Sequence, residues 1–407
     1  MTIENRRRES SGPVMRGIIM LLCINMAGMA SPVLAQPGAD DASAWVRFDA
    51  RRDTGADAQG LADRTTGRTL RPDDPVRIAS ISKLAVAMAV MRLVERDVLD
   101  LDRDVSAVLG WRLRNPAYPE APITLRQLLS HTAGVRDGID YGLPLDADLE
   151  RTMQDGAAWD GRYAPGHYFT YSNLNFPIVA AVMEAATGER FDRIMQRELF
   201  GPLRIDACFN WTTCTQRAIR RAVVLYRPDG SVARDDLRGA MPPCPVVPAQ
   251  DGGCDLASYR LGRQGAAFSP QGGMRISARG LARLGRVLAG RHAGFLKAES
   301  LAEMVRPQWR YDGTNGDTEQ GLHCAYGLAV MILAMPGRPA ACRDDPFGDG
   351  RLRIGHSGEA YSLRSGLWVD PVTGKGVAFY ATALPADTPN GRSAFRAVSE
   401  AMIAKAR

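Results

Sequence analysis

A lysine stands inside an otherwise apolar segment, RIASISKLAV, at residues 77–86. Apolar side chains recur at helical spacing from Ile81 to about Asp97, which predicts a helix that begins next to Ser80. On that helix, Ser80 and Lys83 are i, i+3 neighbours on one face. A charged amine is unfavourable among aliphatic side chains, so this lysine either loses its proton or extends its charge to the surface.

Two interpretations of this pair are open. A serine hydroxyl attacks poorly until a base takes its proton, and Lys83 can be that base only if burial lowers its pKa. A serine at the start of a helix also has a free backbone N–H that can help to bind an oxyanion. The alternative is that Ser80 caps the helix and the lysine reaches solvent. The spacing alone does not choose between them.

A tyrosine and an amide occur together at Tyr171-Ser172-Asn173, the only Y-x-N sequence in the chain. A phenol can relay a proton, and an amide can hold a substrate carbonyl. The alternative is an aromatic side chain that packs on a loop, with Asn173 capping the following helix.

The segment IGHSGEAYS (354–362) places His356 and Gly358 on a predicted strand. A glycine there would let the substrate backbone approach the strand edge, and a histidine can donate to an anionic group. The alternative is an edge strand with an ordinary exposed histidine. Each of these motifs is weak alone, but their joint occurrence favours a catalytic site.

The N-terminus has the pattern of a secretory signal peptide over residues 1–35. Basic residues precede an apolar run at 17–30, and small Val33 and Ala35 stand before a predicted cleavage at Gln36. The run is too short for a stable membrane span, although an uncleaved anchor is the alternative. We therefore expect a periplasmic or secreted protein.

Six cysteines follow the predicted leader, and an even number in an exported chain indicates disulfides. They fall into three local pairs, which predicts the bridges 208–214, 244–254 and 324–342. Buried free thiols are the alternative. Zinc is not expected, because the chain lacks C-x-x-C and a second histidine at ligand spacing. The arginines behind the net charge of +6 are scattered, which argues against nucleic acid as a partner.

Strand patterns occur near both ends of the chain, with helical patterns between them. This order predicts one sheet that is built from the two ends of the chain and flanked by helices, with a helical insertion. Residues from about 205 to 270 are rich in Pro, Gly and Cys, which predicts long loops. The predicted strands are 44–52, 55–67, 351–358, 362–370 and 376–384, and the further predicted helices are 123–134, 175–188, 277–290 and 392–407.

In this order, RIASISK, TLRQLLSHTAG, PGHYFTYSN, QGGMRISARGLARL and GHSG resemble segments of the serine β-lactamase and penicillin-binding-protein superfamily. The chain looks closest to the branch of class C β-lactamases, D-stereospecific peptidases and related carboxylesterases. The resemblance implies an α+β, β-lactamase/transpeptidase-like fold: an antiparallel sheet from N- and C-terminal strands with an all-helical insertion. The expected domain is 36–407, with an α/β part at about 40–80 and 270–407 and a helical part at about 81–269.

The resemblance also implies roles. Ser80 would be the acylated nucleophile, Lys83 its base, Tyr171 the proton shuttle and Asn173 the residue that positions the substrate amide. No metal or organic cofactor is implied.

At the strand, His356 stands where many β-lactamases have lysine, which favours a peptidase or esterase. Gly358 lies in the same motif, and the backbone N–H groups of Ser80 and Glu359 would bind the oxyanion. Glu359 replaces a small residue of the family, and its carboxylate is expected to disfavour anionic substrates. His131 of HTAG is expected to be structural, behind the site.

The expected activity is hydrolysis of an amide or ester bond in a small molecule or peptide, peptidoglycan-derived or a β-lactam, through a Ser80 acyl-enzyme. One alternative is a weak or inactive penicillin-binding or sensor protein on the same scaffold. Another is an α/β-hydrolase, since GHSGE is close to G-x-S-x-G, but Glu359 replaces the last glycine and no βαβ alternation surrounds it. The sequence predicts no oligomeric state.

Overall fold

The computed structural model describes residues 41–290 and 294–406, all of which belong to one unit, Gln36–Arg407. The predicted signal peptide lies outside the described residues. Within the described residues, no helix combines the length and apolarity needed to cross a bilayer.

Fifteen strands and eleven α-helices are found in this part of the chain. The strands are β1 Ser43–Phe48, β2 Asp53–Gln59, β3 Leu61–Asp63, β4 Arg68–Thr69, β5 Val76–Arg77, β6 Cys208–Phe209, β7 Leu225–Tyr226, β8 Val232–Arg234, β9 Met274–Ile276, β10 Trp309–Arg310, β11 Ala325–Tyr326, β12 Met331–Leu333, β13 Arg353–Ala360, β14 Leu363–Val369 and β15 Gly376–Ala381. The helices are α1 Ile81–Val94, α2 Ser106–Leu109, α3 Leu125–Leu129, α4 Leu149–Thr152, α5 Asn175–Thr187, α6 Phe191–Met195, α7 Gly201–Leu203, α8 Gln216–Arg220, α9 Ala278–Leu288, α10 Ala298–Val305 and α11 Ala397–Lys405.

The central sheet joins both ends of the chain. Its eight strands run in the order β10-β11-β12-β13-β14-β15-β1-β2, and every neighbouring pair is antiparallel. The N-terminal hairpin β1–β2 thus extends the C-terminal strands through the β15–β1 pair, with Trp45 opposite Phe379. This arrangement confirms the predicted fold class.

Helices cover both faces of this sheet. Successive side chains of a strand point to opposite faces, so β15 contributes Ala378 and Tyr380 to the core under α9, and Phe379 to the core under α11. Gly285 of α9 lies so close to the sheet that a Cβ there would stand 2.2 Å from Phe48. The α9 layer continues into the helical part of the chain, which holds α1.

Helix α1 is buried on all sides, with 12 of its 14 residues buried, and it is therefore a core element rather than a surface helix. It ends at Val94, slightly before the predicted end, because Asp97 adopts a left-handed φ of 57° and the Val98 N–H bonds back to Leu93.

Elsewhere the structure adds detail that the sequence patterns did not predict. The segment from 205 to 270 contains short elements, among them β6, β7, β8 and α8, which bury few residues each and so lack clear periodicity. Helix α11 begins at Ala397 and not at 392, because residues 392 and 393 bond to the Glu400 carboxylate instead of entering the helix.

Three disulfides join Cys208 to Cys214, Cys244 to Cys254, and Cys324 to Cys342, which confirms the predicted pairing. The third bridge fastens the segment that carries residues 319–323 to residues 341–343, and the Arg343 N–H bonds to the Gly321 carbonyl beside it. This fastened segment forms one wall of the pocket described next.

Candidate active site

Ser80 lies where a short strand meets the buried helix. Strand β5 pairs with β9 in a small sheet and ends at Arg77, three residues before Ser80. Ala79 has a left-handed φ of 57°, a conformation that costs free energy for a residue with a Cβ. This sharp turn places Ser80 at the first turn of α1, where backbone N–H groups have no intrahelical partner.

The amine of Lys83 lies beneath the serine and is fully buried. Its Nζ is 3.0 Å from Ser80 Oγ, 2.8 Å from Asn173 Oδ1 and 2.9 Å from the Gln271 carbonyl oxygen. Burial lowers the pKa of Lys83 to about 7, against an ordinary 10.5, although the Asp137 carboxylate acts in the opposite direction.

The three oxygen partners suit a charged amine with three N–H donors, whereas a neutral amine has two N–H donors and one lone pair. The Asn173 and Gln271 oxygens can only accept, so in the neutral amine they take the two N–H bonds. The lone pair is then left for the Ser80 hydroxyl proton. Lys83 does not extend to solvent, so the alternative of a surface-seeking lysine is wrong.

Tyr171 is held between two imidazole rings. The His131 ring lies 4.4 Å away on one side and the His323 ring 5.0 Å away on the other, both stacked. Burial raises the pKa of the Tyr171 phenol well above its ordinary value, and a hydrogen bond to Ser80 opposes that shift. The phenol therefore keeps its proton near neutral pH and is suited to donate it.

The loop that carries Tyr171 and Asn173 is fixed by one carboxylate. Asp137 accepts hydrogen bonds from the Ser172 hydroxyl, from the Asn173 side chain, and from the backbone N–H groups of Asn173 and Leu174. His131 is buried behind this loop, as expected, and its Nδ1 accepts from the Ser172 N–H. Asn173 thereby presents its oxygen to Lys83.

Strand β13 ends in a tight hairpin turn. Tyr361 and Ser362 form a two-residue loop with left-handed φ values of 52° and 59°, which suit the turn that closes on the Ala360–Leu363 pair. The hydrogen-bonded and non-hydrogen-bonded pairs of an antiparallel ladder alternate from this closing pair. The N–H of Glu359 therefore points away from β14.

The edge of β13 toward which that N–H points is open. Strand β12 pairs with β13 only up to Gly355, so residues 356–360 have no strand on that side. A Cβ built on Gly358 would stand 3.2 Å from the Ser80 backbone nitrogen, so the Ser80 turn lies against β13 at the residue next to Glu359.

Gly358 makes a contact that the sequence did not predict. A Cβ there would stand 2.5 Å from the Ile78 carbonyl oxygen and 2.4 Å from Ser365 Oγ. This glycine therefore lets the turn before Ser80 dock on the strand. The predicted approach of a substrate backbone to the edge of the same strand stays a prediction.

His356 is also placed differently from the prediction. The ring is buried; its Nδ1 lies 2.5 Å from the Ser357 carbonyl oxygen and its Nε2 lies 2.8 Å from the Tyr326 hydroxyl. Burial, with a smaller effect of Lys83, lowers the pKa of His356 to about 3. The ring is therefore neutral and has no free N–H, which corrects the expectation that it donates to an anionic group.

The carboxylate of Glu359 faces a cation of its own strand pair. It forms an ion pair with Arg364, which stands opposite it on β14, so its charge is compensated. The expectation that Glu359 repels anionic substrates therefore loses its basis. Glu319, on the disulfide-fastened segment, is the less compensated acid, since its nearest basic group is the His323 ring nitrogen at 3.7 Å.

These groups line a pocket of about 370 Å³. Six of the seven predicted site residues lie in its wall, and the seventh, Lys83, lies beneath it within hydrogen-bond reach of Ser80. Within residues 41–290 and 294–406, no group of three or more His, Cys, Asp or Glu side chains is arranged to hold a metal ion. The wall residues are Arg77, Ala79, Ser80, Asp137, Tyr141, Tyr171, Asn173, Gln271, Gly272, Glu319, Leu322, His323, His356, Ser357, Gly358, Glu359, Ala360 and Tyr361.

Comparison with known proteins gives the family. The family model for Beta-lactamase matches residues 35–401, nearly the whole chain. The chain belongs to the Beta-lactamase family. This membership confirms the resemblance inferred from the five sequence segments.

Individual relatives of this family match over shorter segments. Esterase EstB of Burkholderia gladioli is 37% identical over 166 residues, which cover 37% of this chain and 42% of the relative. The D-alanyl-D-alanine-carboxypeptidase/endopeptidase AmpH of Escherichia coli (strain K12) is 28% identical over 158 residues, which cover 34% of this chain and 37% of the relative. The chain thus spans about two fifths of the length of these curated relatives.

Solved structures of the Beta-lactamase family match the whole fold. A class C β-lactamase from Rhodobacter sphaeroides superposes with a TM-score of 0.63 at 18% sequence identity, covering 89% of this chain and 94% of the other. At this identity the match describes the fold alone.

Several residues of the site were not singled out from the sequence. Asp137 and His323 occur in segments without any motif of their own, so only the fold reveals their contacts. Gln271 acts through its backbone carbonyl, which no side-chain pattern can indicate. Arg77 is the first residue of the RIASISK segment, but the sequence alone does not distinguish a buried arginine on a short strand from an exposed one.

Proposed function

We propose that this protein is a serine hydrolase that cleaves amide or ester bonds through an acyl-enzyme at Ser80. The observation that carries this proposal is the buried Lys83 amine, 3.0 Å from Ser80 Oγ, with its two N–H bonds already committed to other acceptors. A base in this position can take the proton of the Ser80 hydroxyl, without which a serine is a weak nucleophile.

Acylation begins with transfer of the Ser80 proton to the Lys83 lone pair. The Ser80 oxygen forms a bond to the acyl carbon, and the carbonyl oxygen becomes an oxyanion. We assign the backbone N–H groups of Ser80 and Glu359 as the donors for that charge; the packing of the Ser80 turn against Gly358 and the open side of β13 beyond Gly355 support this assignment.

Collapse of this intermediate breaks the bond to the leaving group, which needs a proton. Tyr171 supplies it, and the proton that Lys83 holds then restores the phenol, because the two groups share the Ser80 hydroxyl as a neighbour. In deacylation a water molecule gives one proton to the Lys83 amine and attacks the acyl carbon. The bond from that carbon to the Ser80 oxygen then breaks, Ser80 takes the proton back from Lys83, and the acid is released.

The site favours ester or peptide substrates over efficient β-lactam turnover. His356 is neutral and has both ring nitrogens engaged, so this position supplies no cation for the carboxylate of a β-lactam. The names of relatives, an esterase and a carboxypeptidase/endopeptidase, support the same choice. Short esters fit this site best; a peptidoglycan-derived D-Ala-D-Ala peptide is a candidate through the name of the relative alone, because its C-terminal carboxylate would lack the same cation.

A side-by-side assay tests the proposal. Purified protein is given a short-chain nitrophenyl ester, a D-Ala-D-Ala peptide and a chromogenic cephalosporin, with Ser80→Ala and Ser258→Ala as the inactive and matched control variants. We expect Ser80-dependent turnover of the ester or the peptide and unchanged turnover by Ser258→Ala. Failure of all three substrates, with no stoichiometric burst, would instead favour the inactive binding protein.

We also propose that the protein works outside the cytoplasm, after loss of residues 1–35. Three disulfides support this placement, because such bonds persist in oxidising compartments. N-terminal sequencing of the mature protein recovered from a periplasmic or culture fraction tests it. A start at Gln36 is expected, and an intact Met1 in the cytoplasmic fraction would contradict it.

A further inference from the structure

Arg77 is a buried cation in the wall of the active-site pocket, three residues before the nucleophile. Only 5% of the Arg77 surface is exposed, and its guanidinium lies over the Tyr361 ring, 5.2 Å from the ring centroid. Within the part of the chain that the structure describes, its Nε and Nη1 atoms are buried and make no hydrogen bond.

This lack of partners sets Arg77 apart. Four arginines in the described residues are at least nine-tenths buried, and three of them have a carboxylate partner. Burial of the Arg77 guanidinium is costly, because the three N–H donors of its Nε and Nη1 atoms lose water and gain no hydrogen bond in exchange. The three ion pairs are Arg275–Asp235, Arg353–Asp349 and Arg364–Glu359.

The acidic groups of the pocket do not compensate Arg77. Asp137 already accepts four hydrogen bonds from the loop around Asn173, and Glu359 pairs with Arg364. Glu319 also lines a second cavity on the other side of Gly358, which Arg77 does not reach. The pocket therefore has an acidic side and a cationic side.

The cationic side is the one away from the proton donor. Tyr171 stacks on His323, which neighbours Glu319, so the leaving group departs toward the acidic side. Arg77 and Tyr361 line the pocket but not the second cavity. They are left to contact the acyl part of a substrate bound to Ser80.

We propose that Arg77 binds a carboxylate on the acyl part of the substrate, with the Tyr361 ring as a platform beneath the guanidinium. Because Nε and Nη1 are buried, the N–H groups of Nη2 are the ones that a carboxylate can reach, and charge-assisted hydrogen bonds of this kind are strong in a desolvated wall. This inference rests on the proposed function. It narrows the substrates to esters or amides whose acyl group carries a carboxylate or a comparable anion.

The test compares two esters that differ only in this charge: p-nitrophenyl hydrogen succinate and its neutral methyl ester. The wild-type protein should prefer the anionic ester by about tenfold or more in kcat/KM. Arg77→Gln should reduce that preference about 10- to 100-fold, and Arg77→Lys should restore part of it. Arg234→Gln is the matched control, because Arg234 also stacks on Tyr361, at 5.4 Å, yet is exposed and outside the pocket wall.

The ratio of kcat/KM for the two esters is measured on the wild-type protein, so this part of the test does not depend on any variant. Circular dichroism would show whether Arg77→Gln folds. A wild-type ratio near one, or a ratio that Arg77→Gln leaves within twofold of wild type, would overturn the inference. A loss of preference in Arg234→Gln as large as in Arg77→Gln would overturn it as well. Absence of any Ser80-dependent ester hydrolysis would instead overturn the proposed function.

Discussion

Replacing Lys83 with methionine should change protein stability in a pH-dependent way that reports directly on the buried amine. Methionine has a similar length and no charge, so it fills the same space in α1. The wild-type chain must hold Lys83 without its proton or accept the cost of a buried charge. The variant has neither requirement.

The magnitude follows from the two pKa values of Lys83, about 7 in the folded protein and an ordinary 10.5 in the unfolded chain. Between these values the unfolded chain binds more proton than the folded protein, so wild-type stability rises with pH by up to about 1.4 kcal/mol per unit. Below pH 7 both states are protonated and the cost is constant. From pH 7 to pH 9 the wild-type protein should therefore gain about 2 kcal/mol relative to Lys83→Met.

Urea denaturation of both proteins at pH 7 and pH 9 measures this difference, with Lys375→Met as the control at an exposed lysine. The control should shift stability equally at both pH values. If the stability difference between wild type and Lys83→Met is the same at pH 7 and pH 9, Lys83 keeps its proton throughout that range. It could not then serve as the base for Ser80.

Three further predictions concern the site. The kcat/KM of the hydrolysis should rise with unit slope as pH increases toward about 7, because Lys83 must be neutral, and a profile flat from pH 5 to pH 8 would contradict this. Tyr171→Phe should lower kcat about 10²- to 10⁴-fold without loss of fold, whereas Tyr168→Phe, outside the pocket wall, should leave kcat unchanged; equal effects would exclude Tyr171 as the proton donor. Gly358→Ala should destabilise the protein by about 1–3 kcal/mol in urea denaturation, because the new Cβ would stand 2.4–2.5 Å from atoms of Ser365 and Ile78. The control is Gly156→Ala, whose Cβ would meet nothing within 4 Å. Equal stability of the two variants would contradict the docking of the nucleophile turn.

The fold class was predictable because its signals are long and local. The helix that begins after Ser80 is apolar without a break from Leu84 to Met91, and Gly188 ends α5 with the left-handed φ of 67° that such a stop requires. The disulfides followed from short cysteine spacings. The short strands between 205 and 270 were not predictable, because two- or three-residue strands carry no periodicity. They depend on their partners: β6 pairs with β9, and β7 pairs with β8.

The residues of the site were predictable to the extent that they stand in motifs. Ser80, Lys83 and Tyr171 do, and the structure brings them together. The environment of a side chain is a different matter, since it depends on distant parts of the chain. His356 is neutral because the fold buries it and lowers its pKa, and Tyr326, thirty residues earlier, occupies its second nitrogen. Glu359 is compensated because the hairpin register places Arg364 opposite it.

Mass spectrometry of the protein quenched in acid during turnover of a nitrophenyl ester tests the acyl-enzyme most directly. The proposed mechanism predicts a mass increase equal to the acyl group on the peptide that contains Ser80. The adduct should be absent in Ser80→Ala and form far more slowly in Lys83→Met. An adduct on another residue, or full hydrolytic activity in Ser80→Ala, would contradict it.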